Sequence, residues 1–306
     1  MPRLSQIVLT LLIALPIAVS AQSPQATRQK AVLVTGASTG IGRKVTERLA
    51  ADGYFVYAGA RKDADLEELG KIRNVQAVRL DVTRQADIDA AVITIKEAGR
   101  GLYGLINNAG IGTQGSVVDA RYEEFELTMM VNAFGPWRVT KAFAPLIIAE
   151  KGRIATTGSI SGILAGATIS AYTMSKHAVE AFTDSLAAEM APLGVHVSVI
   201  EPGSYRTEIY SNAAARLGGQ YADRADDLDR LQEPDDVAAA FALALSEPKP
   251  KRRYLVVPME DQARRTIQKQ IAQLVELNEG HAYTYDRKTL IKMLDEALAG
   301  SRPRTR

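Results

Sequence analysis

Short runs of consecutive apolar residues alternate along this chain with stretches whose apolar positions recur every three or four residues. Ala31–Thr35 (AVLVT) is short, apolar and β-branched, which predicts a buried strand. Glycines interrupt the pattern over 36–42. Helical spacing then begins at 44–51, with Val45 and Leu49 on one face. The same alternation predicts strands at 54–58, 75–80, 102–106, 153–157, 196–200 and 254–257. Helices are predicted at 86–98, 171–190 and 235–246, with one long helix over 122–149 that Pro136 kinks. Two more follow at 260–278 and 286–299. This βαβα rhythm predicts an α/β fold. Seven strands form a doubly wound parallel sheet with helices on both faces, and a C-terminal helical extension follows.

The chain divides accordingly into 1–21, a linker 22–29, a doubly wound α/β domain 30–260 and a helical extension 261–306 ending in a basic tail. The linker, QSPQATRQ, is polar. Ile267, Ile271, Leu274 and Val275 line one face of the helix at 260–278. That stripe packs on the domain or on a neighbouring subunit, or, with Arg264, Arg265 and Lys269 beside it, lies on a membrane surface.

The first chemical signal is Thr35-Gly36-Ala37-Ser38-Thr39-Gly40-Ile41-Gly42, between the first strand and its helix. Glycines permit a tight turn and a close approach to a pyrophosphate, and the helix N-terminus favours negative charge. In this strand–turn–helix context Gly36, Ser38, Thr39, Gly40, Ile41 and Gly42 are candidate dinucleotide contacts. No acid ends the second strand to take ribose hydroxyls. Arg61 stands there instead, suited to a 2′-phosphate, so NADP(H) is favoured and NAD remains possible; the plainer reading of Arg61 is a solvated surface charge. Asp81, followed by Val82, either meets the adenine edge or caps a turn.

The second signal is Tyr172-Thr173-Met174-Ser175-Lys176. Tyrosine and lysine four apart share a helix face. Ser159, thirteen residues earlier at a strand end, can hydrogen-bond a substrate oxygen to which Tyr172 passes a proton. A nearby ammonium favours phenolate, so Lys176 is expected to draw the tyrosine pKa down from about 10, and also to reach a ribose. Asn132, inside the long helix, can hold a water that relays protons from Lys176.

Together TGASTGIG, NNAG at 107–110, Asn132, Ser159, YTMSK and Pro202-Gly203 resemble the short-chain dehydrogenase/reductase family, in its order and spacing, over roughly residues 30 to 260. The resemblance implies a Rossmann-like domain and a catalytic set of Asn132, Ser159, Tyr172 and Lys176. It implies hydride exchange between nicotinamide and a carbonyl or secondary alcohol. It adds Asn108, Ala109, Gly110, Pro202, Gly203, Thr207, Tyr172 and Lys176 to the cofactor contacts. It further implies a homodimer or homotetramer built on the helices that hold Asn132 and Tyr172. A catalytically silent dinucleotide sensor and an acyl-carrier-linked ketone reductase are the rival readings.

Residues 204–233 are expected to wall the substrate pocket. Tyr205, Ile209, Tyr210 and Leu217 there suit a partly apolar small molecule, lipid-, steroid- or retinoid-like. A formal net charge of +2 provides no field for nucleic acid. No cysteine is present, and the three histidines have no metal-ligand spacing, so neither thiol chemistry nor a metal site is expected.

The N-terminus complicates the picture. Arg3 precedes an apolar run from Ile7 to Val19, and Val19-Ser20-Ala21 suits signal peptidase. Cleavage and export to a periplasmic or secreted location is the reading adopted. An uncleaved anchor that leaves the domain facing the cytoplasm, near the membrane, is the alternative, and a misassigned start is a third.

Overall fold

The computed structural model describes residues 28–217 and 230–301. The segment 1–21, most of the linker and the basic tail lie outside the described residues, as does the middle of the 204–233 wall.

Seven strands form one sheet in which every neighbouring pair is parallel. They are β1 (Ala31–Thr35), β2 (Phe55–Ala60), β3 (Val75–Arg79), β4 (Gly104–Asn107), β5 (Arg153–Thr157), β6 (His196–Pro202) and β7 (Arg253–Val256). Their spatial order is β3-β2-β1-β4-β5-β6-β7. The order reverses between β1 and β4, which lie side by side with Leu33 opposite Leu105. At such a switch point the connections leave to opposite faces, so a crevice opens beyond the carboxyl ends of the strands.

Helices α1 (Gly40–Ala51), α2 (Asp63–Gly70) and α8 (Asp235–Ser246) cover one face, burying Val45, Leu49, Leu69, Val237 and Phe241. On the other face, α3 (Gln85–Glu97), α5 (Gly135–Ala149) and α6 (Ser170–Met190) bury Ile88, Val139, Phe143 and Leu186. Each such large side chain, fully removed from water, contributes roughly 1.5–3 kcal/mol. A sheet buried on both faces requires near-continuous apolar strands, and β1 is buried at all five positions.

Several boundaries differ from the sequence pattern. Helix α1 starts at Gly40 rather than at 44, because its first turn is the glycine loop itself. Helix α2 escapes the pattern: its sequence DADLEELG buries only Leu69. The expected long helix is three pieces, α4 (Tyr122–Met129), a π-turn over Met130–Phe134, and α5. Pro136 has no N–H for the carbonyl of Asn132 four residues before it, and the helix widens there instead of only kinking. Helix α7 (Ile209–Leu217) rises from the stretch expected to wall the pocket. The extension forms α9 (Glu260–Asn278) and α10 (Arg287–Ser301). The stripe Ile267, Ile271, Leu274 and Val275 on α9 is exposed, whereas Gln262 and Thr266 at its start are buried. Among the described residues no helix is long and apolar enough to cross a membrane.

Candidate active site

The crevice is organised by Thr35, the buried last residue of β1. Its hydroxyl oxygen accepts the backbone N–H groups of Asn108 and Ala109, each at 3.0 Å. The glycine loop and the loop after β4 are thereby fastened together. Gly36 holds φ +63°, and a Cβ there would stand 2.8 Å from the Cα of Ala109. A Cβ on Gly42 would meet the carbonyl oxygen of Gly36 at 2.1 Å and Nδ2 of Asn108 at 2.4 Å. That amide donates to the carbonyls of Thr35 and Gly36 at 3.1 and 3.0 Å, and Thr157 donates to its Oδ1. The Asn108 side chain thus braces the cradle. Asn107 does the same for the sheet, donating from Nδ2 to Thr140 on α5.

Thr39 precedes α1 without a side-chain cap, and the first turn carries no acid. The orphan N–H groups of that turn, with Ser38 and Ile41 beside them, present partial positive charge to the crevice, where a pyrophosphate fits. Thr207 and the carboxylate of Glu208 close over this end, both 3.2 Å from where a Cβ on Gly40 would lie. Arg61 is exposed at the tip of β2, with its carbonyl accepting from Arg79. Asp81 spends one carboxylate oxygen on the N–H and hydroxyl of Thr83, at 2.9 and 2.7 Å. This is the turn-capping geometry. Val82 is buried against Gly135 at the start of α5.

The four expected catalytic side chains converge beyond β4 and β5. Ser159 caps a 3-10 turn, Ile160–Gly162, by accepting the N–H of Ser161 at 3.0 Å. Its hydroxyl lies close enough to that of Tyr172 to lower the phenol's pKa. Lys176, one turn along α6, is buried and donates from Nζ to the carbonyl of Thr157 at 2.9 Å. The ammonium lies 5.6 Å from the centre of the Tyr172 ring. A Cβ on Gly110 would stand 4.0 Å from Nζ of Lys176 and 3.6 Å from Oδ1 of Asn132, so the three meet at one point.

Asn132 sits in the π-turn with its side chain fully used. Oδ1 accepts from Ile111 N–H at 2.9 Å, while Nδ2 donates to the Ile111 carbonyl at 3.0 Å and to Ser175 at 3.1 Å. The side chain fixes the loop after β4. Pro136 offers no N–H to the main-chain carbonyl of Asn132.

Electrostatics correct one expectation. Burial pushes the Tyr172 phenol up to about 12, and the nearby Ser159 hydroxyl offsets only part of this. Burial also pulls Lys176 down to about 8, against the opposing pull of Glu180. Desolvation is the dominant influence on the phenol, and Tyr172 is neutral at pH 7.

A family model described as short chain dehydrogenase matches residues 30–217. The chain belongs to the short-chain dehydrogenase family. As a family these oxidoreductases bind NAD(P) and act on small molecules, and the glycine cradle above accommodates that group. The chain is 39% identical over 194 residues to the mitochondrial D-beta-hydroxybutyrate dehydrogenase of Rattus norvegicus, covering 60% of this chain and 57% of that enzyme. It is 34% identical over 183 residues to retinol dehydrogenase 5 of Mus musculus, covering 58% and 57%. The matches thus span less than two thirds of the length of these relatives. A short-chain dehydrogenase from Streptomyces avermitilis, whose crystal structure is solved, superposes with a TM-score of 0.70 at 30% identity, covering 82% of this chain and 96% of that one.

Pro202 and Gly203 end β6 at the expected place. Sequence reasoning missed what holds them: the side chain of Gln262 on α9 fills the space a Cβ on Gly203 would need, and its Oε1 accepts from Ser204 N–H at 3.2 Å. Nothing in a polar helical stretch marks Gln262 in advance. Tyr205 turns into the core instead of the pocket, whereas Ile209 packs on Gly112 and Tyr210 lies close enough to Tyr172 to raise its pKa further. Arg216 on α7 reaches Glu124 on α4 at 2.8 Å and the Gly112 carbonyl at 2.6 Å, drawing α7 across the site.

Proposed function

We propose that this chain is an NADP(H)-preferring reductase of a partly apolar ketone, with Tyr172 as general acid. The observation that carries the reading is that Ser159 and Lys176 both lie beside Tyr172, with Lys176 also meeting Asn132 at Gly110 next to the glycine cradle. A bound nicotinamide supplies the hydride. Ser159 and Tyr172 then present donors to the substrate oxygen as negative charge develops there, which is transition-state stabilisation by fixed dipoles. Tyr172 transfers its proton to that oxygen. Lys176, largely protonated at pH 7, stabilises the phenolate left behind, and the Asn132 carbonyl orders the water that resupplies the proton.

The apolar substrate is supported by Ile209 and Tyr210 on the wall and by the name of the retinol-acting relative. The NADP(H) preference is supported by Arg61 and by the missing acid at the end of β2. Exposed Phe134 and Trp137, beside the turn that carries Asn132, support a homo-oligomer built on that face. The test is oxidation of NADPH with a panel of steroid, retinoid-like and aryl ketones. Tyr172→Phe is expected to lose turnover by at least about 1000-fold while binding NADPH as the parent does. Equal kcat in the two proteins would refute the assignment.

A further inference from the structure

One turn beyond Lys176 on α6, Glu180 points inward beneath the turn that carries Ser159. Gly158 and Gly162 flank that turn, and the carboxyl of Glu180 fills the room they leave: a Cβ on either would stand 3.2 or 3.1 Å from its Oε1. Glu201, the residue before Pro202-Gly203, is only 3% exposed. Its carboxyl lies within hydrogen-bonding reach of that of Glu180.

Arg253 on β7 is the cation they share. Its Nε donates to Oε2 of Glu180 at 3.0 Å and lies 3.6 Å from Oε1 of Glu201, while Nη2 turns away to Asp184 at 2.8 Å. Asp184 is half exposed and also faces Arg252 at 3.5 Å. The inner two carboxyls thus divide one edge of one guanidinium. Oε1 of Glu180 and Oε1 of Glu201 are both buried without a donor. Two ionised carboxylates offer each other only acceptors, and one proton held between them satisfies both oxygens while removing a buried charge.

We propose that Glu180 and Glu201 share a single proton and act as positioning residues, their joint charge governing the ammonium of Lys176 while the carboxyl of Glu180 seats the Ser159 turn. The charged groups facing the pair are Lys176 and Asp184 from α6 and Arg253 from β7. Burial raises both carboxyls; the charge of Asp184 adds to the rise of Glu180, and that of Glu180 to the rise of Glu201, which reaches about 7. Below that pH the pair carries one negative charge, balanced by Arg253. Above it the second charge appears close to Lys176 and holds its proton to higher pH. Proton sharing stands by itself; its consequence for catalysis rests on the role given to Lys176 above.

The test is an NMR titration of the full chain labelled with 13C in the glutamate carboxyls and 15N in the lysine Nζ. The parent is expected to show two coupled carboxyl resonances with one step near pH 7, and a Lys176 resonance that senses that step. In Glu201→Gln the step disappears, because the amide donates permanently to Glu180. The Lys176 midpoint then falls by about one pH unit, the effect of removing one nearby opposite charge. It falls further in Glu180→Gln, whose carboxyl is nearest the amine. Two carboxyls titrating independently in the ordinary glutamate range of the parent, or a Lys176 midpoint unmoved in both variants, overturn the proposal. The parent titration decides the sharing even where a variant does not fold. Failure of NADPH oxidation with acetophenone or a steroid ketone would count against the reductase reading and leave this titration untouched.

Discussion

Replacing Lys176 with methionine separates the stability of this fold from its chemistry. The amine is 5% exposed and its pKa falls from 10.5 to about 8. Holding the ammonium in the folded protein at pH 7 therefore costs about 3 kcal/mol, at 1.36 kcal/mol for each unit. Methionine matches the stem and carries no charge, but it leaves the Thr157 carbonyl without its 2.9 Å donor, a loss of about 1 kcal/mol. Lys176→Met is thus expected to be more stable than the parent by about 2 kcal/mol at pH 7, and inactive. The gap has a defined pH course. Below pH 8 the lysine is protonated in both folded and unfolded chains, and the penalty is complete. Between 8 and 10.5 the unfolded chain still binds a proton that the folded one has released, so parent stability rises with pH and the gap closes. Tyr172, raised from 10.0 to about 12, titrates the other way but does so in both proteins. Urea unfolding of the two at pH 7 and pH 9.5 measures this. A variant less stable than the parent at pH 7, or a gap that does not change with pH, would refute the reasoning.

Other outcomes follow from the cradle and the chain ends. Gly42→Ala forces a Cβ into the Gly36 carbonyl and the Asn108 amide, and is expected to cost roughly 2–3 kcal/mol and abolish dinucleotide binding in calorimetric titrations. Arg61→Ala should raise the KM for NADPH about tenfold and leave that for NADH within about twofold, since a 2′-phosphate loses a charge-assisted partner worth about 1.4 kcal/mol. Cell fractionation with mass spectrometry of the N-terminus should find a mature chain beginning at Gln22 outside the cytosol. An intact Met1 in the membrane fraction would favour the anchor instead.

Legibility in the sequence varied with the physics of each part. Strands buried on both faces must be largely apolar, so β1 and β2 stand out as runs. The cradle was legible because its glycines answer steric demands that no other residue meets, as Gly36 and Gly42 show. Helix α2 was not, since it buries a single side chain and has no periodic face. The widening of the helix at Asn132 was only half legible. Pro136 announces a missing hydrogen bond, but a kink and a π-turn are alternative ways to absorb it.

What the sequence by itself determined is the choice of candidate reacting groups and their order along the chain, because Ser159, Tyr172 and Lys176 are set by local spacing at a strand end and on one helix face. The tertiary structure alone decided how charged those groups are and what holds them in place. Burial raises the Tyr172 phenol where Lys176 was expected to lower it, because desolvation depends on every atom packed around a group and not on its neighbours in sequence. Thr35 meets Asn108 across 73 positions, Gln262 meets Ser204 across 58, and Glu180, Glu201 and Arg253 come from three elements. Each is an ordinary polar residue in its own segment, and acquires its role only where the sheet brings those segments side by side.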